Sequence, residues 1–413
     1  MAGTHAPDVD RTAEAEKAVR ILFYKSTLAW PRLSGDDVHT SQMMCALARL
    51  GAHVTFATAG SLGSQALSGI PIDAAIELDG RHGDRDRAAT PIRLSALEER
   101  FQHYWGIPHG RITALGQLAN HIDASAVVVA GLDALPLLAG IRRGVRVWYA
   151  GDEWTWHHLS QVQMGNVTSW RHVTAAAVKG LYERTYAPHV DRAWTVSDAD
   201  ARSLRWISGI VHVDTIPNGV DASAYTMCAQ REEPETAIFW GRLDFGPNLQ
   251  ALEWFIDHVW PCLRRTFPAA RFTIAGYHPG AAAHRLAKAD GITMLADVPD
   301  LRPLASRHAV VVLPFVSGGG VKNKLLEAAA MGKAIVASPR TLCGLQGEPP
   351  LCQARTSQEW VDVVSSLWND REARHDLGRR ARTWVTREHT WPAAARAALD
   401  SIRRSILQAG VPA

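Results

Sequence analysis

Pro314-Phe315-Val316-Ser317-Gly318-Gly319-Gly320-Val321-Lys322-Asn323-Lys324-Leu325-Leu326-Glu327-Ala328-Ala329-Ala330-Met331-Gly332-Lys333-Ala334-Ile335-Val336 is the stretch that decides how this chain folds. It reads as the end of an apolar strand, a glycine-rich loop, a short helix, a glycine stop and a second apolar strand. Such a loop feeds straight into a helix start, so backbone N–H groups and the positive dipole end point at one place. Glycines there let an anion approach the backbone closely. Asn323, Lys324 and Glu327 fall within one helical turn and share a face, while Leu325, Leu326, Ala329 and Ala330 are free to face a core. A lysine for phosphate and a carboxylate for sugar hydroxyls, one turn apart, suit a nucleotide carrying a diphosphate. The alternative is a surface Lys324–Glu327 ion pair on an ordinary helix, since glycine-rich loops are common.

Outward from this stretch, short apolar runs alternate with helical patterns. The runs are Ile21–Tyr24, His53–Thr58, Ala126–Ala130, Val145–Ala150, Ala193–Val196 and Val211–Ile216, then Ala237–Trp240, Arg271–Ala275, Ile292–Leu295, Val310–Pro314 and Ala334–Ala337. Continuous Val, Ile and Leu without polar alternation predicts parallel strands covered by helices on both faces. Helices are expected over Thr40–Leu50, Asn248–Phe267 with an interruption at Pro261, Ala199–Ile207 and Ser357–Trp368. The polar stretch Asp221–Thr236, with Arg231-Glu232-Glu233-Pro234-Glu235, has linker chemistry. The expected fold class is therefore α/β, with two βαβ halves facing each other across a cleft and ligands beyond the carboxyl ends of the strands. Residues 81–90 read as a charged loop.

Composition bounds the rest. The chain has 413 residues, 47% hydrophobic and 21% charged, which suits two or three globular domains. A formal net charge of +3 is too small to argue for nucleic acid binding. Cys45, Cys228, Cys262, Cys343 and Cys352 are scattered and without metal-ligand spacing, which favours reduced thiols in a cytoplasmic protein. Met1 to Lys17 is polar and no signal peptide. No apolar run approaches the ~20 residues of a membrane span. Arg142, Arg143 and Arg146 form a small basic cluster, so a peripheral contact at the inner face of a membrane stays open. The 15 tryptophans serve packing or stacking on sugars.

A set of short motifs then falls in a recognisable order. Val196-Ser197-Asp198-Ala199-Asp200 is followed by Ile216-Pro217-Asn218-Gly219-Val220-Asp221, Trp240-Gly241-Arg242-Leu243, Phe272-Thr273-Ile274-Ala275-Gly276, the glycine loop, and Leu326-Glu327-Ala328-Ala329-Ala330-Met331-Gly332. Near the start, Ser34-Gly35-Asp36-Asp37 precedes a helix ending Leu50-Gly51-Ala52-His53-Val54. Together these resemble the GT-B glycosyltransferases, especially retaining family 4 (glycosyl transferases group 1). Pro247-Asn248 and Asn323-Lys324 are similar to segments of the bacterial exopolysaccharide-type sugar transferases.

The resemblance implies a GT-B fold of two Rossmann-like domains: an acceptor-binding domain over 1–216, a donor-binding domain over 217–390, and a C-terminal helix within 391–413 packing back on the first. It implies closure of the domains about Pro217-Asn218-Gly219. The implied function is transfer of a sugar from a nucleotide-diphospho-sugar to a hydroxyl acceptor with retention, in polysaccharide or glycoconjugate synthesis. The acceptor would be a saccharide or lipid-linked saccharide, with the nucleotide-diphospho-sugar as co-substrate and no other cofactor. Glu327 would accept from the donor ribose hydroxyls; Lys324, Arg242, Asn323 and the loop amides of Gly319, Gly320 and Val321 would hold the diphosphate. For Arg242 the alternative is a structural pair with Asp244. Gly35, Asp36 and Asp37 would form an acceptor-side loop.

Two departures from the family pattern matter. The glutamate that many members carry eight residues before the ribose glutamate is Gly319 here. The lysine five or six residues after the arginine is replaced by Pro247 and Asn248, so the second cation must be Lys322 or Lys324.

On the acceptor side, Trp148-Tyr149-Ala150-Gly151-Asp152-Glu153-Trp154-Thr155-Trp156-His157-His158 follows a buried strand. Asp152 is the first candidate for an acceptor contact or general base, then His157 and His158, with His39 behind them. No metal site is expected: Asp84-Arg85-Asp86 lies in a charged loop, and Asp198-Ala199-Asp200 caps a helix. Rival readings are a nucleotide-sugar epimerase or hydrolase on the same fold, and a non-catalytic nucleotide-sugar-binding assembly subunit. A nicotinamide dehydrogenase is disfavoured because Ile21–Tyr24 is not followed by G-x-G-x-x-G.

Overall fold

The computed structural model describes residues 18–28, 35–62, 67–78, 92–151, 154–159, 162, 167–227, 232–318 and 320–409. The chain divides into two compact units, the first of Met1–Thr155, Thr174–Ile216 and Ala394–Ala413, the second of Trp156–Val173 and Pro217–Ala393.

The first unit holds a parallel seven-stranded sheet. Its strands are β1 (Arg20–Lys25), β2 (His53–Thr58), β3 (Ala74–Glu77), β4 (Ala126–Ala130), β5 (Val145–Gly151), β6 (Arg192–Thr195) and β7 (Val213–Thr215), in spatial order β3-β2-β1-β4-β5-β6-β7. Tyr24 lies level with Ala57 on one side and Val129 on the other. Every residue of β4 is buried, as expected for an apolar run covered on both faces. Helix Trp391–Ala409 ends in this unit, where Trp194 Nε1 donates to Ser401 Oγ at 2.9 Å. Ser401 in turn donates to Asp214, which also takes Arg192 at 3.0 Å and Arg404 at 3.1 Å.

The second unit holds a parallel six-stranded sheet. Its strands are β8 (Glu233–Arg242), β9 (Arg271–Tyr277), β10 (Ile292–Ala296), β11 (His308–Leu313), β12 (Ala334–Ala337) and β13 (Cys352–Gln353), ordered β10-β9-β8-β11-β12-β13. Strand order therefore reverses between β8 and β11, the topological switch point where open α/β sheets bind ligands. The core is aromatic: Phe255 meets Phe272 at 5.1 Å and Trp360 at 5.7 Å between ring centroids. Trp148, Trp194, Trp260 and Trp360 are fully buried, so packing claims them, whereas Trp206 is 79% exposed.

Some boundaries differ from the sequence reading. Asn248–Phe267 is two helices, Gly246–His258 and Trp260–Thr266, because Pro261 at the second start lacks an N–H and opens a new helix rather than continuing the old. The expected linker Asp221–Thr236 is not all linker: β8 begins at Glu233. Just before it, Glu232 pairs with Lys333 at 2.5 Å and Arg374 at 3.3 Å, all three side chains largely buried. Asp198 and Asp200 sit in the first turn of helix Asp198–Ser208, where Ser197 Oγ caps the Asp200 N–H at 3.1 Å. Asp84-Arg85-Asp86 lies outside the described residues. Among the described residues no helix is long and apolar enough to cross a membrane.

Candidate functional site

The site lies at the carboxyl ends of β8 and β11, on either side of the switch point. From β11 the chain runs through Pro314 and Phe315 to Ser317, whose hydroxyl donates to Gln250. Gly318 (φ 90°) and Gly320 (φ 69°) adopt left-handed backbone that a side chain would strain. Lys322 immediately precedes the helix Asn323–Ala330, and its ammonium donates to the Gly320 carbonyl at 3.2 Å. Gly319 lies outside the described residues, and Val321 is buried.

Lys324 and Glu327 point from one face of this helix toward the end of β8. The Lys324 ammonium donates to Asn248 Oδ1 at 2.8 Å and sits 4.2 Å from the Phe239 ring and 5.0 Å from the Phe315 ring. Burial, with Lys322 beside it and only Glu327 opposing, pushes its pKa down to about 7. Glu327 accepts from Trp240 Nε1 at 2.8 Å, and burial pushes its carboxyl above the ordinary range. Asn248 also donates to the Arg242 carbonyl at 2.7 Å, tying the end of β8 to Lys324.

Arg242 itself makes the pair with Asp244, at 2.7 Å, and is half-exposed over the Phe245 ring. That neighbour leaves the guanidinium's other N–H groups available to an anion. Asn323 faces elsewhere, accepting from Asn218 Nδ2 at 2.8 Å. His389, fully buried, anchors the same segment through Nδ1 to the Asn218 carbonyl at 3.0 Å.

The acceptor-side candidates are less gathered. Asp152 lies outside the described residues, as do the side chains of His157 and Asp36. Gly35 opens helix Gly35–Arg49. His158 stacks on His172 with centroids 5.7 Å apart and Nδ1 atoms 3.4 Å apart. Asp37 is buried and takes Lys25 at 3.1 Å, and His39 Nδ1 lies 2.7 Å from the Tyr149 hydroxyl. No group of three or more metal-ligating side chains occurs among the described residues.

Sequence reasoning missed the residues that hold the site. Asn248 enters the sequence reading as a replacement for lysine and within the Pro247-Asn248 segment, Trp240 within the Trp240-Gly241-Arg242-Leu243 motif and Phe239 as a strand residue, none with a role in the site. The signal available was the polar Asn248 on the otherwise apolar buried face of its helix.

Residues 234–370 match the family model of glycosyl transferases group 1. No curated protein matches the chain. Among solved structures, sucrose-phosphate synthase from Thermosynechococcus elongatus is similar over 95% of this chain and 100% of its own, with TM-score 0.69 at 16% identity. Anabaena HepE, solved with UDP and glucose, covers 93% and 99%, with TM-score 0.64 at 13% identity. The pneumococcal O-GlcNAc transferase GtfA, solved with UDP and GlcNAc, covers 94% and 99%, with TM-score 0.64 at 10% identity. At such identities the likeness speaks for the fold, and the family model speaks for the second sheet and its loops. Residues 234–370 match the glycosyl transferases group 1 domain, and the chain as a whole shares the GT-B fold of the glycosyltransferases it resembles.

Proposed function

We propose that the protein transfers a sugar from a nucleotide-diphospho-sugar to a hydroxyl acceptor, with retention at the anomeric carbon. The observation that carries this reading is the placement of Lys324 and Glu327, one turn apart, at the switch point between β8 and β11. The donor would lie in the second unit. Glu327 has lone pairs left to accept from ribose hydroxyls beyond the bond from Trp240. Lys324, the outer N–H groups of Arg242 and the loop amides at Gly320 and Val321 would meet the diphosphate, where negative charge grows as the donor breaks.

In the step proposed, the bond from the anomeric carbon to the diphosphate oxygen breaks and the acceptor oxygen bonds to that carbon from the same face. The acceptor proton passes to a leaving-group phosphate oxygen. The cations stabilise the departing charge, and no further cofactor is invoked. The expected acceptor-binding region, 1–216, would supply the acceptor site, with Asp152, His157, His158 and the Gly35–Asp37 segment as the positions to test. The acceptor would be a saccharide, free or lipid-linked, used in polysaccharide or glycoconjugate synthesis at the cytoplasmic side.

The test is a thermal-shift panel of UDP-, GDP-, ADP-, CMP- and TDP-linked sugars on wild type, E327A and K324A. A ligand that binds the native state raises the melting point. One nucleotide should stabilise wild type and neither variant. Stabilisation surviving both substitutions would place the donor elsewhere. Binding without transfer or hydrolysis in any acceptor screen would turn the reading toward a non-catalytic binding subunit.

A further inference from the structure

Asn248 is the third residue of helix Gly246–His258 and only 5% exposed. Its side chain joins two residues that the donor reading places at the diphosphate. Oδ1 accepts from the Lys324 ammonium at 2.8 Å, and Nδ2 donates to the Arg242 carbonyl at 2.7 Å. The partners decide which way the amide faces, because an ammonium only donates and a carbonyl only accepts. Around the ammonium, the Phe239 ring lies 4.2 Å away and the Phe315 ring 5.0 Å. A Cβ on Gly241, whose φ is 146°, would lie 2.6 Å from Lys324 Nζ and 3.1 Å from Asn248 Nδ2. The lysine is thus laid against bare backbone at the end of β8. Next to Asn248, Pro247 rests on the glycine loop, its Cβ 3.2 Å from where a Gly318 Cβ would be.

We infer that Asn248 is a positioning residue for the donor reaction: its one buried amide holds the Lys324 ammonium in a fixed place relative to the backbone of Arg242. This rests on the donor reading of Lys324. A lysine is a point charge on a flexible four-carbon stem, and ordering that stem costs up to about 2 kcal/mol of rotamer freedom. Asn248 orders it before the ligand arrives, so a diphosphate meets a nitrogen already in place. An amide oxygen accepts from an amine and an ammonium alike, so the hold survives loss of the proton. A carboxylate at this position would fix the charge instead, and the lysine that the family pattern puts here would repel it. The charged groups bearing on Lys324 are Lys322 and Glu327 on its own helix; burial and Lys322 oppose its charge and Glu327 favours it. The first turn of the Asn248 helix carries no acidic residue, and at the end of β8 Arg242 is turned to Asp244 at 2.7 Å.

The experiment compares wild type with N248D, N248L, K324M, the double variant N248L/K324M and E327A, with UDP as the probe. Lys324 is followed by NMR in protein labelled at lysine 13Cε, its resonance assigned with K324M. In the free protein Lys324 should titrate about one pH unit or more higher in N248D, where a carboxylate faces it, and lower than wild type in N248L, where that partner is gone. UDP should bind about tenfold more weakly to N248L, and N248L should cost nothing further once Lys324 is already methionine. A loss of similar size in both backgrounds would show that Asn248 acts without Lys324 and would overturn the inference. Unchanged Lys324 titration in both Asn248 variants, with UDP affinity in N248L within about twofold of wild type while E327A abolishes binding, would overturn it too and leave the donor reading standing. Wild-type UDP affinity in E327A and in K324M would instead remove the donor reading and this inference with it. N248D keeps an acceptor of the same size and its titration needs no ligand, so it decides the point if N248L fails to fold or UDP is not the nucleotide used.

Discussion

The Lys324 ammonium reaches the Asn248 side-chain oxygen at 2.8 Å while lying 4.2 Å from the centre of the Phe239 ring. An amide oxygen and an aromatic face are weak compensation for lost water, which is why its pKa falls to about 7. Near neutral pH much of the free protein therefore carries this lysine uncharged. An arriving diphosphate favours the ammonium, so binding should draw in a proton. Calorimetry of UDP binding just above neutral pH, in buffers of different ionisation enthalpy, should give an uptake of up to about one proton. K324M should abolish it; an identical heat in every buffer would contradict the assignment. The same shift has a stability sign. The unfolded chain holds this proton up to pH 10.5 and the folded chain only to about 7, so stability should rise with pH through that window, and less steeply in K324M.

For Glu327 the sign is reversed. Its folded pKa lies above the ordinary 4.5, so the folded state binds the extra proton and stability declines as pH rises from 4.5 through the folded value. E327Q removes the buried charge and should melt higher than wild type above neutral pH, while losing its nucleotide-induced shift. A site held at some cost in stability for ligand binding behaves this way. A lower melting point in E327Q would show that the carboxylate is a net stabiliser.

Glu232 is the opposite kind of carboxylate. Burial pushes its pKa up, but Lys333, Arg374 and His375 overcome that and hold it below the ordinary range. Its contribution should be full above pH 4.5 and vanish as pH falls through the lowered folded value. E232Q should cost about 2–3 kcal/mol in urea unfolding at neutral pH, since it leaves two buried cations without their partner. A cost below about 0.5 kcal/mol would mean that the network contributes nothing measurable.

Gly378, in helix Arg371–Glu388, passes so close to the end of the Asn323–Ala330 helix that a Cβ would lie 1.9 Å from the Gly332 carbonyl oxygen. The contact is with backbone, so nothing nearby can swing away. G378A should destabilise by about 3 kcal/mol or more. Gly280 is the control, with nothing within 4 Å of its would-be Cβ. G280A should stay within about 0.5 kcal/mol of wild type. Equal melting points for the two variants would refute this packing.

The alternation of buried strands with helices was legible because parallel strands covered on both faces read as unbroken apolar runs. Lys324 and Glu327 were legible because helical spacing alone puts them on one face. Asn248 and Trp240 were not, because each reaches the site from an element distant in the chain. The Arg231–Glu235 segment misled for a related reason: its charges look solvated until Lys333 and Arg374 arrive beside Glu232. Helix Arg371–Glu388 went unread because its many arginines hide the buried positions Leu377, Ala381, Trp384 and Val385. Helices Ala96–Tyr104 and His109–His121 are short and polar enough to blur the same period.

The polypeptide leaves its first unit at Ile216 and re-enters it at Ala394. On the ribosome, the second unit is therefore fully emerged before the first has its last piece. Trp194, Arg192 and Asp214 wait without Ser401, Ser405 and Arg404 until that later segment is made. A premature stop or carboxy-terminal proteolysis thus strikes the opposite half of the molecule from the one being translated, exposing a β6–β7 surface made hundreds of residues earlier.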